Sequence, residues 1–332
     1  MSLKKLPKEI VLAYTALIVA TVIWSAGGPV IKLTLGYIPP ITFLFLRFLI
    51  SCLILLPYVI YELQKVKVDP RDYLNIFLFG VFSQTALVLI FVGLEYTTVL
   101  ESTIIGVLGS ILAVVAGHYF YKEKVNDGIK KGLVIASLGT IFVVIAPLLT
   151  GGFRDTKVEE RVFGNFLILL YNITWVLYII WSKLSLTTER SALLKKTLSF
   201  VHLKPMKKNY SAVLLTALAL FTGLLTITPL AILENLGYFG SMVGFDILAI
   251  QPVGLIGLFY MSVLSSIVAY MVYQWSLEYV KVSDTAFFGY LAPIFTLPVS
   301  YFLLGESPTW LMLFGGIFIA LGVYIAEKSL KS

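Results

Sequence analysis

The chain has 332 residues, of which 59% are hydrophobic and only 13% are charged, and its mean hydropathy is +0.94. Soluble domains carry about 25% charged residues, so this composition excludes an ordinary soluble domain. The formal net charge of +7 does not indicate nucleic-acid binding, because the basic residues are spread over several loops. Apolar runs of about twenty residues, the length that crosses the hydrocarbon core of a bilayer, predict an all-α polytopic membrane protein.

The first predicted element follows a basic stretch, Met1 to Glu9, and its apolar run is too long for a cleavable signal sequence. We interpret it as an uncleaved first span. Nine further spans follow, separated by segments that hold most of the charge and several Gly and Pro residues. The ten predicted spans cover residues 10–32, 40–61, 73–93, 98–121, 128–149, 162–183, 210–234, 252–277, 283–304 and 309–327.

Lysine and arginine residues predict the orientation of these spans. About twenty of them fall on the side of the N-terminus, and only Lys32, Arg154, Lys157 and Arg161 fall on the other side. Because basic residues are enriched in cytoplasmic loops, this bias places both termini in the cytoplasm and supports an even number of spans. The basic insertion 184–209 is then cytoplasmic, either as an amphipathic helix on the anionic inner leaflet or as a flexible loop.

One segment of the chain occurs twice. Residues 94–139 match residues 277–322 at about ten of roughly forty-six positions, without a gap. Each half of the chain has five spans, an odd number, so the second half must enter the membrane in the opposite sense. We therefore predict two inverted five-helix repeats, 1–150 and 151–332. Secondary transporters built in this way bind their substrate near the midplane, between the repeats.

The chain resembles the EamA-type members of the drug/metabolite transporter superfamily over nearly its whole length, except for the insertion 184–209. The residues that carry this resemblance are Trp24-Ser25-Ala26-Gly27 with Lys32, Phe45-Leu46-Arg47-Phe48, Gly93-Leu94-Glu95-Tyr96, Pro293-Ile294-Phe295, Leu304-Gly305-Glu306-Ser307-Pro308, and Gly315-Gly316 with Gly322. The chain departs from the family pattern at Ser110, which replaces a proline and lies opposite Pro293. It departs again at Tyr121-Lys122-Glu123, which replaces Leu-Gly-Glu. Of spans four and nine, only span nine is therefore expected to have a proline kink.

A tryptophan precedes a lysine by eight residues in the first span of each half: Trp24 before Lys32, and Trp175 before Lys183. Eight helical residues place the ring ~12 Å deeper than the lysine, which is too deep for an interfacial anchor and favours a cavity or packing role. Polar and aromatic residues within the spans are the other candidates, because unpaired polar groups are costly in hydrocarbon. The predicted substrate-binding residues are Trp24, Ser25, Gln84, Asn172, Trp175, Tyr178, Tyr270 and Gln274, with Tyr273 and Trp275 as further candidates.

Three ionisable residues are predicted to couple or gate transport: Arg47, Glu101 and Asp284. Glu101 and Asp284 are equivalent acids near the start of spans four and nine, where a carboxylate could carry a coupling proton. Alternatively, both are structural, because Thr98-x-x-Glu101 is a capping box and an acid in the first turn suits the helix dipole. Arg47 lies ~10 Å inside its span. It either extends outward to the interface or contacts an anion or the acid of a gate.

Small residues recur at i, i+4 and i+8 in the duplicated segment, and this spacing lets helices approach closely in lipid. They are Gly109, Ala113 and Gly117 in the first copy, and Ala292, Thr296 and Ser300 in the second. The stripe is expected to pack within one chain, and the alternative is a homodimer interface.

The sequence predicts neither a cofactor nor an enzymatic site. Cys52 is the only cysteine, and His118 and His202 are too few for a histidine-based metal site. The chain contains no Gly-rich phosphate loop, no His-Glu-x-x-His and no Gly-x-Ser-x-Gly sequence. The leading hypothesis is a secondary transporter in the cell membrane that moves a small metabolite, such as an amino acid or a related compound, by alternating access. The resemblance implies export, and the rival hypothesis is a non-transporting membrane scaffold or an intramembrane enzyme.

Overall fold

The computed structural model describes residues 8–121, 127–150, 157–186, 206–208, 210–238 and 245–330. Within these residues every long element is a helix, which confirms the all-α class. The long helices are α1 (Lys8–Leu35), α2 (Pro40–Lys65), α3 (Tyr73–Tyr96), α4 (Val99–Tyr121), α5 (Asp127–Thr150), α6 (Val158–Leu186), α7 (Ala212–Asn235), α8 (Pro252–Ser276), α9 (Val282–Leu304) and α10 (Trp310–Leu330). Most of the insertion 184–209, including the stretch proposed as an amphipathic helix, lies outside the described residues.

Each predicted span coincides with one of these helices, and the ends agree to within about four residues. The helix ends agree because the apolar runs are bounded by charged, Gly and Pro residues, which favour turns. In the described part of the chain, α1 to α4 and α6 to α8 are long and apolar enough to cross a membrane. Two shorter apolar helical stretches, Leu291–Leu304 and Trp310–Gly322, lie in α9 and α10.

Carboxylates from distant parts of the chain cap the starts of α4 and α2. Glu306 accepts hydrogen bonds from the backbone N–H groups of Val99 and Leu100, at 3.0 and 3.1 Å, at the start of α4. Glu234, in the last turn of α7, accepts from the backbone N–H groups of Ile41 and Thr42 at the start of α2. The first N–H groups of a helix have no partner within the helix. These carboxylates therefore satisfy them and also suit the positive end of the helix dipole.

Helix pairs from the two halves of the chain pack against each other. Helix α4 packs on α9, α5 on α10, and α2 on α7, while α1 contacts α8 and α9, and α6 contacts α3 and α4. The α5–α10 contact is close because both helices present glycine. A Cβ built on Gly139 would lie 2.7 Å from the carbonyl oxygen of Gly315, and one built on Gly322 would lie 2.5 Å from that of Gly132.

The stripe of small residues is occupied by contacts within the chain. A Cβ added to Gly109 would overlap the side-chain oxygen of Asn172 on α6. Thr296 donates a hydrogen bond to the backbone oxygen of Ser25 on α1 at 3.0 Å, and Ser300 donates to Glu306 at 2.8 Å. These contacts agree with packing within one chain, while the homodimer alternative stays a prediction.

Helix α8 is not a uniform α-helix. Its central ten residues, Tyr260–Ala269, form a π-helix between α-helical ends. Such wide turns are rare and often occur at functional sites. In this stretch Ser262, Ser265 and Ser266 are all buried, with at most 1% of each residue exposed. The π-helix therefore presents several hydroxyl groups to the interior of the bundle.

Candidate functional site: a cavity between the two halves

A cavity of about 230 Å³ lies between helices of both halves of the chain. Its walls come from α1, α3, α4, α6, α8 and α9, and one residue of α2, Arg47, reaches it. The lining includes the aromatic residues Trp24, Tyr171, Trp175, Tyr270 and Tyr273, the polar residues Ser25, Arg47, Ser102, Ser110, Asn172, Ser265, Thr285 and Thr296, and the glycines Gly27, Gly28, Gly106, Gly109 and Gly289. The cavity thus joins aromatic rings, hydroxyl groups and a single formal charge.

Six of the eight residues predicted to bind substrate meet at or beside one aromatic cluster. The ring of Trp24 lies 5.5 Å from that of Trp175 and 5.1 Å from those of Tyr270 and Tyr273, measured between centroids. The ring of Tyr178 lies 4.9 Å from that of Trp175 and 6.0 Å from that of Tyr270, but Tyr178 does not line the cavity. Ser25 and Asn172 line the cavity as well. Rings at these separations and tilts attract one another edge to face.

The two tryptophans are positioned by helices whose ends are held in the same way. Lys32, at the end of α1, donates to the backbone oxygens of Leu94 and Glu95 at 2.6 and 3.1 Å. Lys183, near the end of α6, donates to the backbone oxygens of Leu277 and Val280 at 2.6 and 2.7 Å. Both lysines thus satisfy carbonyl groups at a helix C-terminus, where a positive charge is favourable.

Arg47, the charged residue among the described lining residues, is buried, with 1% of the residue exposed. Its Nε donates to the hydroxyl of Ser266 at 2.5 Å, and its Nη2 donates to that of Ser265 at 3.3 Å. The guanidinium carbon lies 5.5 Å from the centre of the Phe91 ring. Outward extension of this side chain to the interface, one of the two sequence-based alternatives, is therefore wrong.

Gln84 and Gln274, which the sequence predicts as substrate ligands, are used inside the protein. The side-chain oxygen of Gln84 accepts a hydrogen bond from Thr226 at 2.8 Å. The side-chain oxygen of Gln274 accepts from Ser182 at 2.6 Å and from Tyr178 at 3.3 Å. Neither residue lines the cavity, so in this structure both amides join helices.

Glu101 forms a buried ion pair with Arg161. The guanidinium donates to the two carboxylate oxygens at 2.7 and 2.8 Å, and Thr97 donates to the carboxylate at 2.8 Å. The backbone N–H of Glu101 also donates to the hydroxyl of Thr98 at 3.2 Å, which is half of the predicted capping box. The other half is absent from the hydrogen bonds of these described residues, because the carboxylate faces α6. Asp284 lies in the first turn of α9, but its side chain is outside the described part of the structure.

Sequence reasoning missed Tyr171, Arg161 and most of the hydroxyl groups around the cavity. The sequence places Arg161 directly before the predicted span 162–183, among the basic residues of the outer side, and does not indicate that it pairs with Glu101. Tyr171 precedes Trp175 by four residues and therefore lies on the same face of α6, with its ring 6.2 Å away. That spacing is a signal that could have identified it. Among the described residues, no group of three or more His, Cys, Asp or Glu could hold a metal ion.

The sequence model of the EamA-like transporter family matches the chain twice, at residues 11–145 and 162–327. The chain belongs to this family. An uncharacterized transporter of Archaeoglobus fulgidus is 24% identical over 304 residues, which are 91% of this chain and 93% of the relative. The uncharacterized transporter YyaM of Bacillus subtilis is 22% identical over 96% of this chain and 94% of its own length.

A solved structure shares the fold of this EamA-like protein. The crystal structure of a protein 15% identical in sequence superposes with a TM-score of 0.57, over 98% of this chain and 99% of the other. Family and helices together make this EamA-like protein a multi-pass membrane transporter rather than an enzyme.

Proposed function

We propose that the protein is a secondary transporter that moves a small metabolite, an amino acid or a related compound, across the cell membrane by alternating access. In this proposal all ten long helices cross the bilayer, both termini are cytoplasmic, and residues 1–150 and 151–332 form two inverted repeats. Export is the proposed direction, on the family resemblance. The observation that carries the proposal is the cavity, because both halves of the chain supply its walls.

The lysine caps support the inverted arrangement. Lys32 binds the carbonyl of Leu94, and Lys183 binds the carbonyl of Leu277. Leu94 and Leu277 are the same position of the duplicated segment. If the halves are inverted, the two lysines hold equivalent helix ends on opposite sides of the membrane. Such paired, opposite contacts are what two alternating gates around a central site require.

The lining of the cavity supports a small organic solute. Its volume, about 230 Å³, lies below the ~300–1,000 Å³ of pockets that bind drug-sized ligands. The rings of Trp24, Trp175 and Tyr273 offer apolar faces with a few polar groups between them. An apolar lining with a few polar groups is the usual composition of sites that bind small organic ligands.

The Glu101–Arg161 pair is the proposed gate on the outer side. It joins α4 to α6 near their N-termini, and both side chains are nearly fully buried, at 1% and 3% exposure. Residue numbers that differ by 151 align Trp24 with Trp175, and the same shift aligns Arg161 with Ile10. Ile10 carries no charge, so the position equivalent to Arg161 cannot supply the same ion pair in the other half. Proton coupling would act here by neutralising Glu101 and releasing Arg161, and Asp284 is the second proposed coupling site.

Transport is tested with the purified full-length chain in proteoliposomes. Vesicles loaded with amino acids and related organic acids are assayed for counterflow of the labelled solute, with and without a pH gradient. We expect saturable counterflow for at least one solute. If none of a broad panel exchanges under either condition, transport by this chain is rejected.

A packed scaffold is distinguished from a carrier by labelling single cysteines from each side of the membrane. Ser102 of α4 and Thr285 of α9 line the cavity in different halves. If the protein is a carrier, the labelling reagent should reach cysteines at these two positions from opposite sides of the membrane. A transported solute should then change the labelling rate at both positions. If cysteines at both positions are protected from the labelling reagent on both sides of the membrane, the protein is a packed scaffold. A tag placed after Ser332 and found outside the cell would contradict the proposed topology.

A further inference from the structure

The positive charge of Arg47 is not balanced within the described part of the chain. None of the described carboxylates lies within 4.0 Å of its guanidinium, and its hydrogen-bond partners are two neutral hydroxyl groups, those of Ser265 and Ser266. An isolated charge buried away from water costs several kcal/mol. Inside membrane-spanning helices such residues therefore mark sites of function.

One nitrogen of the Arg47 guanidinium has no hydrogen-bond partner among the described residues. Nη1 is buried and makes no hydrogen bond to the described residues. A guanidinium has five N–H donors, and Ser266 and Ser265 use one on Nε and one on Nη2. Two donors remain on Nη1 and one on Nη2. A donor from each of these two nitrogens forms the planar fork that binds a carboxylate through both oxygens.

The guanidinium and the aromatic cluster are connected through one residue. Arg47 binds the hydroxyl of Ser265, and the indole N–H of Trp24 donates to the backbone oxygen of the same residue at 3.3 Å. A second buried polar atom without a described partner, the hydroxyl of Ser25, follows Trp24 in the chain and also lines the cavity. An anionic group at Arg47 would thus lie beside rings that can hold an apolar body.

Among the lining residues that the structure describes, none carries a negative charge that could pair with an ammonium. Arg47 is the only residue with a formal charge among the lining residues that the structure describes. The positive charge of Arg47 can balance one carboxylate of a solute. An ammonium on the same solute would have to leave water without a described carboxylate to pair with it.

We propose that the cavity recognises a small aromatic monocarboxylate, whose carboxylate binds Arg47 and whose ring packs against Trp24, Trp175 and Tyr273. This inference rests on the proposed function and narrows its substrate class. Among amino acids and their relatives, it favours those that lack a free ammonium, such as aryl acids or N-acylated amino acids, over the zwitterions.

Three solutes test the proposal: phenylacetate, and phenylacetamide and phenylglycine, each of which differs from phenylacetate in one group. The purified full-length chain is titrated with each, and binding is followed by tryptophan fluorescence, since Trp24 and Trp175 line the cavity. We expect phenylacetate to bind roughly 10- to 100-fold more tightly than the amide, as for hydrogen bonds to charged groups. Phenylglycine, the zwitterion, should bind more weakly than phenylacetate. Equal binding of acid and amide, or tighter binding of the zwitterion, would overturn the proposal.

Variants of Arg47 locate the interaction. Arg47→Gln should bring the affinity for phenylacetate down to that for the amide, whereas Arg47→Lys should keep part of the preference for the acid. Arg71 is exposed and far along the chain from the cavity lining, so Arg71→Gln is the matched control and should leave all three affinities unchanged. If folded Arg47→Gln still prefers the acid, Arg47 is not the carboxylate site. If Arg47→Gln does not fold, the comparison of the three solutes on the wild-type chain still decides.

Counterflow in proteoliposomes separates this inference from the proposed function. If labelled phenylacetate exchanges in the wild-type protein but not in Arg47→Gln, both the transport function and the carboxylate site are supported. Binding of phenylacetate that depends on Arg47, without exchange of any tested solute, keeps the carboxylate site and rejects transport. Exchange of neutral or zwitterionic solutes that is not inhibited by phenylacetate keeps transport and rejects the carboxylate site.

Discussion

Arg161 binds both carboxylate oxygens of Glu101, at 2.7 and 2.8 Å, in the contact between α4 and α6. These residues lie sixty positions apart in the sequence, near the ends of two predicted spans, where a charged side chain is expected to face water. In the structure Arg161 lies near the start of α6 and faces α4. Only 3% of the Arg161 side chain is exposed. The pair is thus an internal connection between two helices rather than a surface charge pair.

Removing one partner of this pair should destabilise the protein more than removing both. Arg161→Met leaves the carboxylate of Glu101 buried and unpaired, and we expect a loss of ~3–5 kcal/mol in the free energy of unfolding. Adding Glu101→Met should recover most of that loss, because an apolar pair of similar volume has no charge to desolvate. The free energy of unfolding is measured with a denaturing detergent in mixed micelles.

The exposed pair Lys130–Asp127 serves as the control for the buried one. Its side chains are 67% and 87% exposed, and exposed pairs contribute ~0–1 kcal/mol. Lys130→Met should therefore change stability little. If Arg161→Met and Glu101→Met each have an equally small effect and their effects add, the pair does not hold α4 to α6.

Replacing Trp24 or Trp175 by alanine should raise the substrate concentration that gives half-maximal counterflow, because both rings form walls of the cavity. Phenylalanine at either position keeps an aromatic face and should have a smaller effect. Trp310 is 87% exposed at the start of α10, so Trp310→Ala is the control. Comparable effects at all three positions would indicate that the losses come from general destabilisation.

The fold could be predicted from the sequence because its strongest determinant is local. A run of about twenty apolar residues has few alternatives to a helix in hydrocarbon, since its backbone groups must pair within the segment. The repeat adds a long-range relation, because it makes Leu94 and Leu277 equivalent positions, and each accepts a hydrogen bond from a lysine in the structure. The packing of α5 on α10 through Gly139 and Gly315 cannot be predicted from the sequence, because a glycine within a span is compatible with several kinds of helix contact.

A repeated pattern predicts the cavity residues more reliably than polarity alone, although Ser25 and Asn172, predicted on polarity, also line the cavity. Trp24 and Trp175 were found because each precedes a lysine by eight residues, and both line the cavity. Gln84 and Gln274 were predicted on polarity alone, and polarity does not distinguish an amide that faces a cavity from one that binds a neighbouring helix. The partner of Glu101 could not be found at all, because it depends on how α4 and α6 rotate about their axes.

The two lysine caps should act on opposite sides of the membrane. Lys32→Met removes the hydrogen bonds to Leu94 and Glu95, and Lys183→Met removes those to Leu277 and Val280. Hydrogen bonds to charged groups contribute ~1.5–3 kcal/mol each, so either change should loosen one helix end. We expect Lys32→Met to increase labelling of cavity cysteines from the outer side, and Lys183→Met to increase it from the inner side.

The exposed Lys130 again supplies the control, and Lys130→Met should leave both labelling rates unchanged. Labelling is measured with a membrane-impermeant reagent added to oriented vesicles, with cysteine at Ser102 or Thr285. An increase from the same side in both lysine variants would contradict opposite gates.

Gly106 and Gly109 lie three residues apart on α4, and both line the cavity, yet alanine should act differently at each. An added Cβ at Gly109 would overlap the side-chain oxygen of Asn172, whereas one at Gly106 would meet nothing within 4 Å. Gly109→Ala should therefore lower the free energy of unfolding, because α6 must move. Gly106→Ala should raise it by ~0.5–1 kcal/mol, since alanine loses less conformational freedom in a helix.

The new methyl group of Gly106→Ala also takes space from the cavity, so this stabilised variant should transport large solutes less well than small ones. The free energy of unfolding and the counterflow of a size series, from acetate to phenylacetate, are measured on the same preparations. A variant that is more stable but discriminates less against the larger solute would contradict the placement of Gly106 in the wall of the substrate cavity. Loss of transport with unchanged stability in Gly109→Ala would contradict the overlap with Asn172.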